Sequence, residues 1–384
     1  MQVSDERRFV VSREDFPALL TAVREQGYSL AGPTLRDQAI VYDEIEGADD
    51  LPVGWTDEQE AGRYQLRRRD DQALFAYNVG PHSWKKFLQL PALTLWKARK
   101  TDNGFNVEAP DAAPPRMAFI GVRPCELQAI AVQDRVLTAG EHTDTDYARR
   151  RQNIFIVTVQ CTQAGNTCFC VSMGSGPRAD AGFDLAVTEM IDAGRHEFVI
   201  EAGSDAGMQI LASIPHRPAS AADWENAQHA TQRAAEQMGR QLDTGGIREL
   251  LQRNAEHPRW DAVAERCLAC ASCTMVCPTC FCTAVEDTTD LVGQTAERVR
   301  RWDSCFNSRY SYIHGGTVRQ STHSRYRQWL THKLASWHDQ FDSSGCVGCG
   351  RCITWCPVGI DITEEVAAIR ADDGGSTQQE GTRK

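Results

Sequence analysis

Two short cysteine runs constrain this chain more than any other feature of its 384 residues. The first run spans residues 267–278, the second spans residues 346–357, and both read C-x2-C-x2-C-x3-C-P. Gaps of two residues let one tight loop point three sulfurs at the same centre, and the proline after the fourth cysteine turns the chain away. Because this spacing is typical of bacterial-type iron–sulfur binding, the sequence predicts two [4Fe–4S] clusters.

The fourth cysteine of each run is predicted to bind the cluster of the other run, as it does in two-cluster ferredoxins. The first cluster then has the ligands Cys267, Cys270, Cys273 and Cys356. The second cluster has the ligands Cys346, Cys349, Cys352 and Cys277. Zinc is the weaker alternative because structural zinc sites prefer two separated ligand pairs. Disulfides are weaker still, since they belong to exported proteins.

Composition and charge narrow the class of protein. With 41% apolar and 24% charged residues, the chain has the composition of an ordinary globular protein. Its net charge of −11 argues against a nucleic-acid partner. The first residues lack the pattern of a signal peptide, and fifteen cysteines in such a chain indicate metal binding in the cytoplasm. No stretch approaches about eighteen uninterrupted apolar residues, so no membrane span is expected.

The predicted fold class is α+β. An N-terminal α/β domain with a mixed sheet is followed by a mainly helical, bacterial-ferredoxin-like 2[4Fe–4S] domain that contains a long insert. The predicted regions are a mixed α/β N-terminal region (1–110), an α/β sheet region (111–217), a helical linker (218–256), the ferredoxin-like domain (257–370) and a disordered tail (371–384).

A βαβ unit is predicted inside the sheet region. The apolar run 117–122 predicts a buried strand, Pro124 begins a helix, and 154–159 predicts a second strand parallel to the first. Closer to the N-terminus, the apolar run 73–77 is predicted to pair with neighbouring strands.

A second group of cysteines follows these strands. Cys125 comes after the first strand, Cys161 comes after the second, and Cys168 and Cys170 lie on the next loop. Ligands gather at the carboxyl ends of parallel strands, and Arg123 with the first-turn amides of the helix would favour thiolates there. These four cysteines are therefore candidate ligands of a third [4Fe–4S] cluster. Buried, unligated cysteines and a redox-active thiol pair are the alternatives.

The insert between the two runs contains surplus cysteines and many basic residues. Packing beside the first cluster is the favoured interpretation of Cys280, Cys282 and Cys305. Only one acid, Asp303, accompanies the eight basic residues Arg298, Arg300, Arg301, Arg309, Arg319, Arg325, Arg327 and Lys333. These cations would offset cluster charge and raise the reduction potential, or dock an acidic partner. A solvated helical face is the alternative.

With these motifs in view, the chain resembles the iron–sulfur beta subunits of cytosolic sulfhydrogenases, which are NADP-linked NiFe hydrogenases. It is also similar to the related iron–sulfur subunit of anaerobic sulfite reductase. The matching stretches are 121–127, 167–177, 266–282, 302–305, 332–333 and 345–361. One departure is Ala271, where the resemblance leads us to expect glycine.

The resemblance implies an electron-transfer subunit that works between a flavin subunit handling NAD(P)H and the catalytic hydrogenase subunits. The alternatives are the corresponding iron–sulfur subunit of an anaerobic sulfite reductase complex, a self-sufficient iron–sulfur reductase, and a docking role for the N-terminal two-thirds. The chain has no G-x-G-x-x-G after a strand and lacks the paired C-x-x-C motifs of a NiFe site. We therefore predict no catalytic residue in this chain.

Overall fold

The structure is a computed structural model that describes residues 5–108, 113–192 and 194–379. Its strands are β1 (Arg8–Ser12), β2 (Ser29–Arg36), β3 (Ala39–Ile45), β4 (Trp55–Glu60), β5 (Arg63–Arg68), β6 (Ala92–Thr101), β7 (Gly104–Glu108), β8 (Met117–Val122), β9 (Ile154–Val159), β10 (Leu185–Asp192), β11 (Arg195–Ala202), β12 (Arg217–Pro218), β13 (Thr283–Thr289), β14 (Thr295–Trp302), β15 (Tyr312–Ile313) and β16 (Gly316–Thr317).

The α-helices are α1 (Phe16–Glu25), α2 (Lys85–Leu88), α3 (Pro124–Thr138), α4 (Thr145–Arg151), α5 (Asp205–Ala212), α6 (Ala221–Glu236), α7 (Ile247–Arg253), α8 (Arg259–Arg266), α9 (Ser272–Met275), α10 (Thr322–Thr331), α11 (Trp337–Phe341), α12 (Arg351–Thr354) and α13 (Ile362–Gln379). Short 3₁₀ helices cover Asp5–Arg7 and Ala48–Asp50, and one π-helical turn covers His332–Ser336.

The larger sheet is mixed and has eight strands in the order β12-β1-β11-β10-β9-β8-β2-β3. Strands β2, β8, β9 and β10 pair in parallel, while the remaining pairs are antiparallel. The predicted βαβ unit is confirmed, since β8 and β9 are parallel neighbours and α3 begins at Pro124. The α+β fold class with a mixed N-terminal sheet is likewise what the structure has.

Strand β8 is buried on both faces because helices cover both sides of the sheet. Ala118 and Ile120 pack into the core that α1 and α5 cover, whereas Met117 and Phe119 pack into the core that α3 and α4 cover. The register then shifts after Ile120, where Gly121 has a φ of +89°. A bulge of this kind bends a strand, and the chain then enters helix α3 at Pro124.

The C-terminal half has its own helical core. Helices α7, α8, α10 and α13 and the π-helical turn contribute its buried side chains, among them Leu250, Trp260, Leu330, Leu334 and Ile369. Residues of both cysteine runs pack against this core, which therefore supports their loops from one side.

Loop 167–170, which carries two candidate cysteines, lies directly against the second cysteine run. The Phe169 N–H donates to the Gly348 carbonyl over 2.8 Å. Gly348 has a φ of +64°, and a Cβ there would come within 2.6 Å of the Phe169 backbone. This backbone-on-backbone contact requires glycine and fixes the two halves relative to each other.

Four features of the fold differ from the sequence prediction. One sheet unites the two regions that the prediction separates at residue 110, and the predicted strand 73–77 is a loop. Strands β6 and β7 join β13 and β14 in a second sheet, so the interpretation of the insert as a helical face is wrong for Arg298–Arg301. Helix α13 extends through part of the predicted disordered tail to Gln379, and 380–384 lie outside the described residues.

Replacing Gly348 by alanine should destabilise the protein more than the same change at Gly293. Both glycines have a left-handed backbone conformation, with φ of +64° and +66°. An alanine in this conformation costs about 1–2 kcal/mol at either position. Only Gly348 adds a collision with Phe169, whereas nothing lies within 4 Å of a Cβ at Gly293. Thermal unfolding followed by circular dichroism under anaerobic conditions should give a clearly lower Tm for G348A than for G293A, and equal shifts would contradict this interpretation of the contact.

Candidate metal centre

The two cysteine runs fold in the same way. In the first run, the Ala269 N–H donates to the Cys267 Sγ over 3.4 Å, and in the second run the Gly348 N–H donates to the Cys346 Sγ over 3.4 Å. Such N–H···S bonds stabilise a thiolate and hold the loop around whatever its sulfurs bind. Each loop then ends in a short helix, α9 or α12.

Left-handed residues occupy the same places in both runs. Ala269 and Ala271 have φ of +50° and +67° in the first run, and Gly348 and Gly350 have φ of +64° and +75° in the second. Ala271, the departure noted in the sequence, therefore adopts the conformation of the glycine it replaces. The first run tolerates alanine because its loop lies nearer the surface, whereas Gly350 lies against the Thr167 backbone.

A first cavity lies within the C-terminal domain. Its walls include the four cysteines predicted to share the first cluster, Cys267, Cys270, Cys273 and Cys356. Tyr326, Trp329 and Ile362 are among the aromatic and aliphatic side chains that complete it. The cavity therefore brings three sulfurs of the first run together with the last sulfur of the second run.

A second cavity lies beside the first. It is lined by the four cysteines predicted to share the second cluster, Cys277, Cys346, Cys349 and Cys352. Cys352 also borders the first cavity, so the two sites are immediate neighbours. Two cationic side chains, Lys333 and Arg351, also form part of the wall.

The four cysteines of the candidate third site also come together. Electrostatic interactions link the Cys125 thiol to Cys161 and Cys170, and link Cys161, Cys168 and Cys170 to one another. A Cβ at Gly176 would lie 3.2 Å from the Cys170 Sγ and 3.7 Å from the Cys125 nitrogen, so these two cysteines flank the same glycine. Burial raises the pKa of the Cys168 thiol to about 12. Such thiols stay protonated until a bound cation replaces their protons.

The third group touches the second cavity. Cys125 and Cys170 pack in one buried cluster with Val347 and Cys349. Cys349 is thus shared between the wall of the second cavity and the contact surface of the third group. The three groups of sulfurs consequently lie in a row, with the second cavity between the other two.

A buried ion pair connects the second cavity to the third group of cysteines. Arg351, which stands between Cys349 and Cys352 in the sequence, is fully buried, and its guanidinium pairs with the Glu126 carboxylate over 2.5 Å. The Tyr42 hydroxyl donates to the other oxygen of Glu126 over 2.5 Å. The roles of Glu126 and Arg351 were not recognised in the sequence, although each stands directly beside a candidate ligand.

Arg123 is the buried cation of the third group. Its guanidinium donates to the Phe75 and Tyr77 carbonyls over 2.6 and 2.7 Å. The same guanidinium lies 4.0 Å from the Cys161 Sγ. The positive charge that the sequence predicts beside these cysteines is therefore present and held in place by backbone carbonyls.

Each of the three surplus cysteines is paired with another cysteine, and the partner of Cys280 is the predicted ligand Cys277. The Cys280 thiol donates to Cys277, and the Cys305 thiol donates to Cys282. Chiefly because of the bond from Cys305, the pKa of Cys282 is lowered to about 6. Cys305 also packs against the core that carries Cys273. Cys305 thus lies beside the cysteines of the first cluster, as the sequence interpretation expects, whereas Cys280 lies beside Cys277, a predicted ligand of the second cluster.

The donor set suits iron–sulfur clusters better than a single ion. No three Cys, His, Asp or Glu side chains of the described residues are arranged to hold one metal ion. A cubane differs, because its four irons occupy separate corners and its thiolate ligands surround it. Each cavity is lined by four predicted ligands and bordered by an N–H···S bond, and two buried cations also line the second, so both fit such a group.

None of the helices in the described part of the chain combines the length and apolar character needed to cross a bilayer.

Comparison with known proteins agrees with the motifs. Residues 266–360 match the family described as 4Fe-4S dicluster domain. The chain is 27% identical over 360 residues to sulfhydrogenase 2 subunit beta of Pyrococcus furiosus, and the match covers 93% of this chain and 96% of the relative. The resemblance drawn from the sequence is confirmed: this is an iron–sulfur protein with a 4Fe–4S dicluster domain, similar over nearly its whole length to a sulfhydrogenase beta subunit.

Proposed function

We propose that this chain is the electron-transfer subunit of a hydrogenase complex, relaying electrons between a flavin subunit that oxidises NAD(P)H and the catalytic hydrogenase subunits. One observation carries the proposal: three groups of four cysteines lie in a row, with Cys349 linking the third group to the second and Cys352 linking the second to the first. A row of redox centres suits conduction of single electrons through a protein. The similarity to a sulfhydrogenase beta subunit supports the choice of complex.

Two [4Fe–4S] clusters with interleaved ligands occupy the C-terminal domain in this proposal. Cys267, Cys270, Cys273 and Cys356 bind the first cluster, and Cys277, Cys346, Cys349 and Cys352 bind the second. The supporting geometry is that each of these sets lines one cavity. Bound there, the clusters supply one-electron redox chemistry, while the protein residues hold them, exclude water and adjust their charge environment.

A third [4Fe–4S] cluster is proposed at Cys125, Cys161, Cys168 and Cys170. Their mutual proximity, their burial and the nearby guanidinium of Arg123 support it. Because Cys125 and Cys170 contact Cys349, this cluster would exchange electrons with the second.

The opposite end of the row lies at the surface. Cys270 is exposed, and the neighbouring Leu268 has 63% of its surface open to solvent. Exposed apolar surface beside a redox centre is suited to contact with a partner protein. The first cluster is therefore the proposed point of exchange with a partner at that end.

The interleaved ligation predicts which cysteine variants resemble each other. Cys356→Ser and Cys267→Ser should remove the same electron paramagnetic resonance signal from the reduced protein, because both residues bind the first cluster. Cys277→Ser and Cys346→Ser should instead both remove the signal of the second cluster. If Cys356→Ser matched Cys346→Ser, each run would bind its own cluster and the interleaved assignment would be wrong.

Iron content tests the third cluster. Three [4Fe–4S] clusters give about twelve irons per chain and two give about eight. By the same count, Cys168→Ser should lower the content from about twelve to about eight, whereas Cys305→Ser, a change of a surplus cysteine, should leave it at about twelve. Wild-type protein with about eight irons after anaerobic reconstitution would rule out this cluster.

The relay itself is tested by supplying electrons. Anaerobic, isolated chain should not be reduced by NADPH or NADH, because it would lack the flavin that splits hydride into single electrons. Addition of the flavin subunit from the native complex should make the same reagents bleach the visible absorption of the iron–sulfur centres. Oxidation of NADPH by the isolated chain, accompanied by stoichiometric flavin, would favour a self-sufficient reductase instead. Copurified sulfite reductase subunits in place of hydrogenase subunits would favour the second candidate complex.

A further inference from the structure

One basic residue of the insert differs from the other seven in its surroundings. All eight lie in the described part of the chain, and among them only Lys333 is buried, with 3% of its surface exposed. Arg298, Arg300, Arg301 and Arg327 are paired with carboxylates. Lys333 is therefore the member of the basic insert whose charge is enclosed by protein.

The contacts of Lys333 place it in the wall of the second cavity. Its Nζ donates to the Thr279 Oγ1 over 2.9 Å and to the Gly345 carbonyl over 3.0 Å. The same Thr279 hydroxyl lies 3.2 Å from the Cys277 Sγ, and Gly345 immediately precedes Cys346. The ammonium group is thus held beside two of the four cysteines of this cavity, one from each run.

The backbone around Lys333 is shaped to hold it there. Lys333 lies in the π-helical turn His332–Ser336, a rare geometry that is frequent at functional sites. The Gly345 N–H donates to the Lys333 carbonyl over 2.8 Å, so the turn and the start of the second run are bonded in both directions. The Nζ also lies 5.6 Å from the centre of the Trp337 ring, a cation–π distance.

Within the described part of the chain, no carboxylate compensates this buried charge. Among the described residues, no Asp or Glu forms an ion pair with Lys333, whereas Arg351, the other cation of this wall, is paired with Glu126. Enclosing an ammonium group without a counter-ion is costly, because the group loses its hydration and gains no opposite charge in return. The sulfurs that interact electrostatically with Lys333 are those of Cys277, Cys280 and Cys346.

We propose that Lys333 is a positioning residue that sets the reduction potential of the second [4Fe–4S] cluster. Reduction adds one electron and one negative charge to the cluster, with no bond made or broken. A fixed positive charge in the cavity wall stabilises the reduced form more than the oxidised form and so raises the potential. This inference rests on the proposed function, because it requires a cluster bound by Cys277, Cys346, Cys349 and Cys352.

The test compares neutral and charged replacements of Lys333 in a potentiometric titration followed by electron paramagnetic resonance. The signal of the second cluster is the one lost in Cys346→Ser. In K333M and K333Q, the ratio of reduced to oxidised second cluster at a fixed potential should fall at least tenfold, equivalent to about 59 mV for one electron. K333R, which keeps the charge, should stay close to wild type.

A matched control is Lys86→Met. The Lys86 Nζ also donates to a backbone carbonyl, that of Tyr42 over 2.7 Å, but its charge faces the Asp43 carboxylate at 3.5 Å. This change should leave the potentials of all clusters unaltered. Comparable shifts in K86M and K333M would overturn the proposal, as would an unchanged second-cluster potential in fully loaded K333M or K333Q.

Loss of about four irons from both neutral variants, with K333R fully loaded, would assign Lys333 to cluster assembly and would also overturn the role in the potential. The second-cluster signal of the wild-type protein distinguishes failure of this inference from failure of the proposed function. If the wild-type chain showed no second-cluster signal, the ligand assignment itself would be contradicted, whatever the Lys333 variants showed.

Discussion

The buried ion pair between Arg351 and Glu126 is the interaction on which the arrangement of the cysteines depends. Arg351 stands within the second cysteine run, and Glu126 stands next to Cys125 in the first turn of helix α3. Removing two charges from water is costly, and their attraction offsets this cost only when further hydrogen bonds satisfy both groups. The Tyr42 hydroxyl donates a hydrogen bond to the Glu126 carboxylate, and the Gly80 carbonyl accepts one from Arg351 over 2.8 Å. The pair thereby aligns a loop of the C-terminal domain with a helix of the sheet domain.

The same region contains more buried positive charge than carboxylates can balance. Arg123, Lys85 and Lys333 are buried with no Asp or Glu ion pair in the described part of the chain. For Lys333, burial alone would lower the pKa, but the sulfurs of Cys277, Cys280 and Cys346 raise it well above the usual value. Protein and iron–sulfur centres would then depend on each other: the cations stabilise anionic clusters, and cluster binding compensates cations that would otherwise destabilise the fold.

The sequence could predict the features that local patterns encode. The cysteine spacing, the buried strand β8, helix α3 and the parallel strand β9 depend on residues close together in the chain. The loop at 73–77 could not be foreseen, because the Leu74 and Phe75 N–H groups bond to the distant Glu189 carboxylate over 2.7 and 2.8 Å and not to a neighbouring strand. The pairing of β6 with β14 joins segments that are remote in the sequence, and no local signal specifies it. The role of Glu126 was missed for a related reason, since its partner Arg351 is distant in sequence.

The geometry also explains why one chain carries both a sheet domain and a ferredoxin-like domain. A row of redox centres conducts electrons only if each centre keeps its place relative to the next, so the third group must be held firmly against the second. The sheet supplies Cys125 and Cys161 at the ends of adjacent parallel strands, and the loop carrying Cys168 and Cys170 lies on the second run, where Gly348 allows close backbone contact. A flexible linker between two separate domains would not maintain that contact. The rigid joint between the halves is therefore as much a part of the proposed relay as the cysteines.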